Sequence, residues 1–284
     1  MREQLKKARP FLKWAGGKTQ LLPELLKRIP KGWNPETDRY HEPFLGGGAL
    51  FWALQPRFAL VNDLNCELMG TYTALQTNVE AVISGLRWHA AQYQSEPEKA
   101  YYQAREQLRA TLDVLDPELA ACFIFLNKTC FNGLYRVNKK GLFNVPWGRN
   151  LDVCICDADN LRACSKVLNA CTRFAPSWSD FERLAWPSEG SLWYADPPYV
   201  PQSNAASFTS YTTQGFIYAD QLRLLVYAAQ LKAHGVHVLL SQAANEGLID
   251  QYRRCGFTCD LVHARRAVNS EGSGRGPVGE YIIY

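Results

Sequence analysis

Asp196-Pro197-Pro198-Tyr199 is the tetrapeptide of this chain best suited to chemistry. Two successive prolines hold φ near about −65° and remove two N–H donors. The chain is therefore extended there, with its carbonyls free to accept. Asp196 adds an acceptor carboxylate and Tyr199 a flat face. A row of acceptors beside an aromatic plate suits a planar substrate that carries an amino group. A strand-ending turn capped by an Asp would use the same residues. A second candidate is Glu42-Pro-Phe44-Leu-Gly46-Gly-Gly48, with Asp63 farther on. Glycines let backbone approach a ligand closely, and an acid at the end of a second strand is placed to hold ribose hydroxyls. The dinucleotide fingerprint fails, because Phe51 stands at its third glycine position. A pyrophosphate cofactor is disfavoured, and an adenosine-containing ligand without pyrophosphate stays open. Residues 11–19, Phe-Leu-Lys13-Trp14-Ala-Gly-Gly-Lys18-Thr, miss the P-loop pattern because Leu12 replaces its first glycine. They offer a Trp and Lys wall for a small ligand, or a buried Trp ahead of a helix.

Elements must bring these residues together. Residues 39–42 and 58–62 read as short strands, the first entering the glycine turn and the second ending at Asp63. Strand, glycine turn, helix, strand and acid open a doubly wound nucleotide-binding sheet. Leucines at helical spacing predict an amphipathic helix over 18–29. From Cys66 to about Cys122 the pattern is helical, and Asp116-Pro117 starts a further helix. Residues 134–137 and 142–145 read as a hairpin whose four-residue loop ends on glycine. Strands resume at 191–195 and 236–240, around a helix at 219–234. Residues 257–263 and 280–284 are expected to pair as a terminal antiparallel hairpin. The expected architecture is one α/β sheet built from residues 1–65 and 156–284, with 66–155 inserted as a separate helical and hairpin domain.

The hairpin is basic. Residues 122–150 hold Lys128, Arg136, Lys139, Lys140 and Arg149 and no acid, and residues 1–31 carry nine Lys or Arg against Glu3 and Glu24. A net charge of +4 concentrated this way suits a polyanion on one face. An Arg on a two-stranded ribbon can donate a bidentate pair to guanine, and an aromatic at its base can wedge into the gap of a displaced base. The composition, 47% hydrophobic and 20% charged in 284 residues, excludes a disordered or fibrous chain. No apolar run reaches membrane-helix length, and the basic start lacks a secretory signal's apolar stretch. Nine cysteines without a CxxC read as free thiols rather than a disulfide framework or zinc site.

In this order, FLKWAGGK at 11–18, EPFLGGGALF at 42–51, ND at 62–63, NKTCFNGLYRVNKKGLFNVPWG at 127–148 and DPPY at 196–199 resemble the Dam family of DNA adenine-N6 methyltransferases, α group. The resemblance covers nearly the whole chain. It implies a Rossmann-like sheet that binds S-adenosylmethionine and an inserted DNA-recognition domain. It implies methyl transfer to a flipped adenine in double-stranded DNA, with GATC the expected target. Trp14, Lys18, Phe44, Gly46, Gly48, Asp63, Asp180, Phe181 and Asp196 would border the cofactor. Asp196, Pro197, Pro198 and Tyr199 would be catalytic. Lys13, Leu134, Arg136 and Pro146 would meet base edges. Phe131, a phenylalanine where the family has tyrosine, and Asn132 would take the vacated position, while Lys128, Lys139 and Lys140 would meet phosphates. A loop at 201–211, with Ser203, Phe208 and Tyr211, is expected to close over the site. No metal, no membrane, a cytoplasmic location and a monomer are expected. Cytosine-N4 and protein-glutamine methylation are the alternatives that a DPPY-type tetrapeptide leaves open.

Overall fold

The computed structural model of the chain describes residues 8–14, 16–111, 113–171, 175–177, 180–199, 216–265 and 277–284. Among these, seven strands form one sheet: β1 (Arg39–Glu42), β2 (Phe58–Asn62), β3 (Ala175–Ser177), β4 (Leu192–Ala195), β5 (His237–Ala243), β6 (Cys259–Arg265) and β7 (Pro277–Ile283). Their spatial order is β3-β2-β1-β4-β5-β7-β6. The first five in that order run parallel, and β7 lies antiparallel between β5 and β6. The order reverses between β1 and β4. Sheets of this kind take ligands at such a switch point, at the carboxyl ends of the strands. This is a Rossmann-like sheet, as expected.

Alternation along β4 shows how the sheet is covered. Leu192 and Tyr194 join a core with Tyr40, Leu50 and Trp52, while Trp193 and Ala195 join another with Leu224, Tyr227 and Tyr252. Side chains of a strand alternate between faces, so a strand buried on both sides reads as a continuous apolar run. The helices are α1 (Leu22–Lys27), α2 (Ala49–Leu54), α3 (Cys66–Ser95), α4 (Pro97–Ala110), α5 (Pro117–Thr129), α6 (Ala158–Ala170), α7 (Tyr218–Ala233) and α8 (Glu246–Arg254). Side chains cap several of them: Asn65 accepts from Leu68 N–H, Asp116 from Glu118 N–H and Asp157 from Asn160 N–H. Each satisfies an amide that the first helical turn leaves unpaired. The same core that lies under β1 and β4 continues through Tyr72 to Tyr101 and Phe125 on α4 and α5.

Several expectations need correction. The helix expected over 18–29 is a 3-10 turn (Lys18–Gln20) followed by α1, with Pro23 in the first turn of α1. Proline is tolerated there because that turn's amides lack helical partners anyway. The helical run from Cys66 breaks at Asn78, whose φ of −150° and ψ of 59° are not helical. β5 runs three residues beyond 240, because Ser241, Gln242 and Ala243 pair with β7. β3, α6 and α8 went unread, β3 because three residues make no pattern. The expected hairpin turns tightly, with Gly141 at φ +76° and its N–H bonded to Asn138 O at 2.9 Å, but its arms are joined by isolated bridges, Val137 with Phe143 and Cys130 with Trp147, rather than by two regular strands. The loop at 201–211 lies outside the described residues. All nine cysteines are free thiols. Among the described residues no helix is long and apolar enough to cross a membrane.

Candidate active site

The parallel strands set the site. β1 delivers Glu42 and the 43–48 turn, β2 delivers Asp63, and β4 delivers Asp196 to Tyr199, all at one edge of the sheet. The turn is rigidly tied. Gly46 N–H donates to Asp63 Oδ2 at 2.9 Å, and Asn65 N–H donates to Asp63 Oδ1 at 3.0 Å. Gly46 has φ +49°, and a Cβ there would stand 2.6 Å from Trp14 Cδ1. The turn thus packs directly onto the Trp14 indole, which also stacks on Tyr135 at 5.8 Å and lies 6.5 Å from the Phe123 ring. Gly48 opens α2 with φ 66°.

Lys18 is the hub of the catalytic end. Its side chain is 5% exposed, and Nζ reaches Asp196 Oδ1 at 2.9 Å and Glu280 Oε2 at 3.8 Å. It also donates to Gly16 O at 2.7 Å and sits 5.0 Å from the centre of the Tyr199 ring. Burial pushes the Asp196 carboxyl up to about 6; Lys18 pulls it down and Glu280 adds to the rise. Burial also pushes Glu42 far above its usual range, against the pull of a 2.7 Å bond from the Tyr40 hydroxyl, with Asp196 and Asp63 adding repulsion. Asp63 is raised by burial and drawn back by its two N–H donors. A buried carboxylate is costly without partners, so this edge concentrates charge that the fold must hold in place.

The Asp-Pro-Pro-Tyr segment is braced from below. Gln221 of α7 donates to Pro198 O at 3.0 Å, and its own Oε1 accepts from Gln242 of β5 at 2.7 Å. Both glutamines are buried. The Pro198 carbonyl, expected to be free, is therefore already used. Phe44 packs against Phe181 at 5.8 Å and Phe216 at 5.7 Å, an aromatic group beside the glycine turn. Asp180 stands apart from it: the carboxylate caps the 3-10 turn Phe181–Arg183 and pairs with Arg223 of α7.

The basic hairpin reaches the site through Tyr135, stacked on Trp14, and through contacts to Lys13. Asn127 of α5 accepts from Lys13 N–H at 2.8 Å and donates to Lys13 O at 2.7 Å and Gly133 O at 3.4 Å. Lys13 packs against Gly133, where a Cβ would stand 2.6 Å from Lys13 Cβ. Phe131 is 49% exposed, and Asn132 holds a left-handed φ of 55°. Phe131 N–H donates to Pro146 O at 3.0 Å, closing the base of the hairpin. Leu134 is half-buried and Pro146 exposed. Arg136 Nε donates to Asn144 Oδ1 at 2.7 Å, which lays the guanidinium along the ribbon. Lys139 and Lys140 are exposed at its tip. Lys128 is unlike them: it borders a hollow with Arg9, Phe11 and Asp157, and burial, then Lys13, lowers its pKa.

Sequence reasoning missed Glu280, Gln221, Gln242, Asn127 and Asn144. Ser241-Gln242 carried a usable signal, since two polar residues follow the apolar run 238–240 beside the strand that leads into Asp196.

Comparison with known proteins agrees with this architecture. The family model of D12 class N6 adenine-specific DNA methyltransferases matches residues 14–267. Type II methyltransferase M1.LlaDCHI of Lactococcus lactis subsp. cremoris is 39% identical over 279 residues, covering 97% of this chain and 94% of its own. The DNA adenine methylase of Vibrio cholerae is 33% identical over 280 residues, covering 98% and 96%. That of Escherichia coli K12 is 31% identical over 281 residues, covering 98% and 95%. A match of this length and identity, on this sheet, shows that the chain belongs to the D12 class of N6 adenine-specific DNA methyltransferases.

Proposed function

We propose that the chain methylates N6 of an adenine held against Tyr199, flipped out of duplex DNA, with S-adenosylmethionine as donor and GATC as target. The observation that carries this reading is the acceptor carboxylate of Asp196, half-buried and paired with the buried Lys18 beside the Tyr199 ring at the β1–β4 switch point.

The donor set suits this cofactor. Phe44 and Phe181 offer apolar rings to an adenine, Asp63 an acid to ribose hydroxyls, and the Gly46 and Gly48 turn a close backbone. Trp14, Lys18 and Asp196 border the remaining end, and an acid-rich edge suits a sulfonium. Asp180, committed to Arg223, would act at most through Phe181. When bound, the cofactor supplies an electrophilic methyl group.

The protein's own work is to prepare the amine. The lone pair of an adenine amino group is delocalised into the ring, which makes it a poor nucleophile. Asp196 and the Pro197 carbonyl accept its two N–H groups, which localises the lone pair and stabilises positive charge developing on nitrogen. Pro198, tied to Gln221, holds that carbonyl in register. Inside a duplex N6 is paired, so the base must leave the stack, at a cost of a few kcal/mol. Stacking on Tyr199 returns about 1–3 kcal/mol.

Residues 66–155 serve as the recognition domain and residues 1–65 with 156–284 as the catalytic one. Lys13, Leu134, Arg136 and Pro146 meet base edges, Phe131 and Asn132 fill the vacated position, and Lys139 and Lys140 meet phosphates, which position without specifying. Mapping modified bases in unmethylated DNA treated with protein and donor tests the whole reading. N6-methyladenine confined to GATC is expected. N4-methylcytosine, or methyl label on protein alone, would overturn it.

A further inference from the structure

Glu280 has no part in the chemistry above, yet it stands inside the site. It lies on β7, opposite Ala243 of β5 and Val262 of β6. Because β7 runs against the parallel strands, its first half, rather than its end, comes to the carboxyl edge where Asp196 sits. Lys18 Nζ spends its short contacts on Gly16 O and Asp196 and keeps Glu280 Oε2 at 3.8 Å. Glu280 Oε2 and the Tyr199 hydroxyl are both buried, and neither makes a hydrogen bond of ordinary geometry among the described residues, although the Glu280 carboxylate lies near enough to the phenol to add to the rise that burial gives its pKa. Orphaned buried acceptors are costly, so an oxygen kept this way beside a shared cation points to a state in which it is used.

We propose that Glu280 is a positioning residue that acts through Lys18 on Asp196: it takes over the ammonium when Asp196 turns to the base amine, leaving both Asp196 oxygens free to accept. This rests on the reading of Asp196 as the acceptor. The structure as it stands holds the resting arrangement, with Lys18 on Asp196. An incoming N–H competes with Lys18 for the same carboxylate. Without a second acid, moving Lys18 aside would strand a buried ammonium, which is strongly unfavourable. The groups facing Asp196 are Lys18 from the 3-10 turn, Glu42 with its partner Tyr40 from β1, Tyr194 from β4, Tyr199 beyond it and Glu280 from β7. Lys18 is the one cation in that set, and Glu280 is the acid that shares it.

Glu280→Gln keeps the side chain's size and removes its charge. Two measurements on the full chain separate the outcomes. In the cofactor-free protein, carbon-13 NMR of labelled aspartate follows the Asp196 carboxyl, whose midpoint lies at about 6. Loss of the neighbouring negative charge lowers that midpoint by about half a unit or more. With cofactor and unmethylated plasmid DNA near neutral pH, single-turnover transfer falls about tenfold or more, while cofactor and DNA affinities stay within about threefold. Glu280→Asp restores most of the rate. An unmoved midpoint in Glu280→Gln, or transfer at the wild-type rate, overturns the proposal. So does an Asp variant as slow as the Gln variant with cofactor binding lost, the mark of packing alone. A wild type that methylates no DNA overturns the site reading itself, and this proposal with it, whatever the titration shows.

Discussion

At the carboxyl edge of the sheet, Lys18, Glu42, Asp196 and Glu280 arrive from four distant stretches of chain and meet in a mostly buried cluster of ionisable groups. In the basic hairpin, Arg136, Asn138, Asn144 and Pro146 find their hydrogen-bond partners within residues 131–146, and the lysines at the tip face solvent. Buried charge costs much and needs exact partners. Exposed charge costs little and is screened by salt. The two regions therefore answer substitution differently. On the proposed function, substitutions at the edge should disturb chemistry and fold together, while those in the hairpin should change affinity and sequence choice with the fold left alone.

The largest effect is expected at Asp196. Asp196→Ala removes the acceptor and lowers single-turnover transfer by about a thousandfold, while duplex binding measured by fluorescence anisotropy stays close to wild type. A large loss of DNA binding would erase the contrast between the regions. The pH profile sharpens it. A protonated Asp196 cannot accept through the oxygen that holds the proton, and burial has raised its pKa from 3.8 to about 6. Transfer is therefore full above that pH and falls as pH drops through about 6. An acid limb near 4 would mean that the carboxyl is solvated in the working complex.

What could be read from sequence follows the same division. The hairpin was legible because its turn chemistry is local: Asn138 to Gly141 announces a turn, and alternation announces the ribbon. β1, β2 and β4 were legible because each leads into residues of evident chemical use. The brace under Pro198 was not, since Gln221 and Gln242 are ordinary residues until α7 and β5 bring them together. Glu280 was hidden for a topological reason. Residues 280–284 read as an antiparallel partner of 257–263, but nothing in the sequence tells that the strand also pairs with β5, which puts Glu280 opposite Ala243 at the carboxyl edge beside Asp196. Asn127 lay inside a quoted motif, yet its double bond to Lys13 needs both segments in space.

The brace predicts the next effect. Gln221→Ala leaves the Pro198 carbonyl and the Gln242 amide without their partner in a buried place. Each orphaned group costs about 1–3 kcal/mol. The urea midpoint should fall, and transfer should fall with it under conditions where the variant is still folded. A variant that loses stability but turns over normally would show that the Asp-Pro-Pro-Tyr segment holds its shape unaided.

Effects in the hairpin are smaller and of another kind. Arg136→Ala should cost about 1–3 kcal/mol at one base pair of the target and relax the choice there, with the unfolding midpoint unchanged. Asn144→Ala frees the guanidinium that Asn144 now orients, so it should show a weaker form of the same relaxation. Competition between substrates differing at each position of the site checks both. If Asn144→Ala matches Arg136→Ala, orientation rather than the guanidinium itself sets the choice.

Lys139→Ala should give the smallest change. The side chain is exposed at the tip, where an ammonium gains by releasing counterions from phosphate and carries no sequence information. Affinity for matched and mismatched duplexes should weaken together. The slope of log affinity against log salt should flatten by about one unit. Arg136→Ala should instead act on the matched duplex far more than on the mismatched one. A Lys139 variant that discriminates between the two duplexes would place the tip in a groove. An Arg136 variant that weakens both alike would put its guanidinium on the backbone, and the base contacts of the ribbon would then have to fall to Leu134 and Pro146.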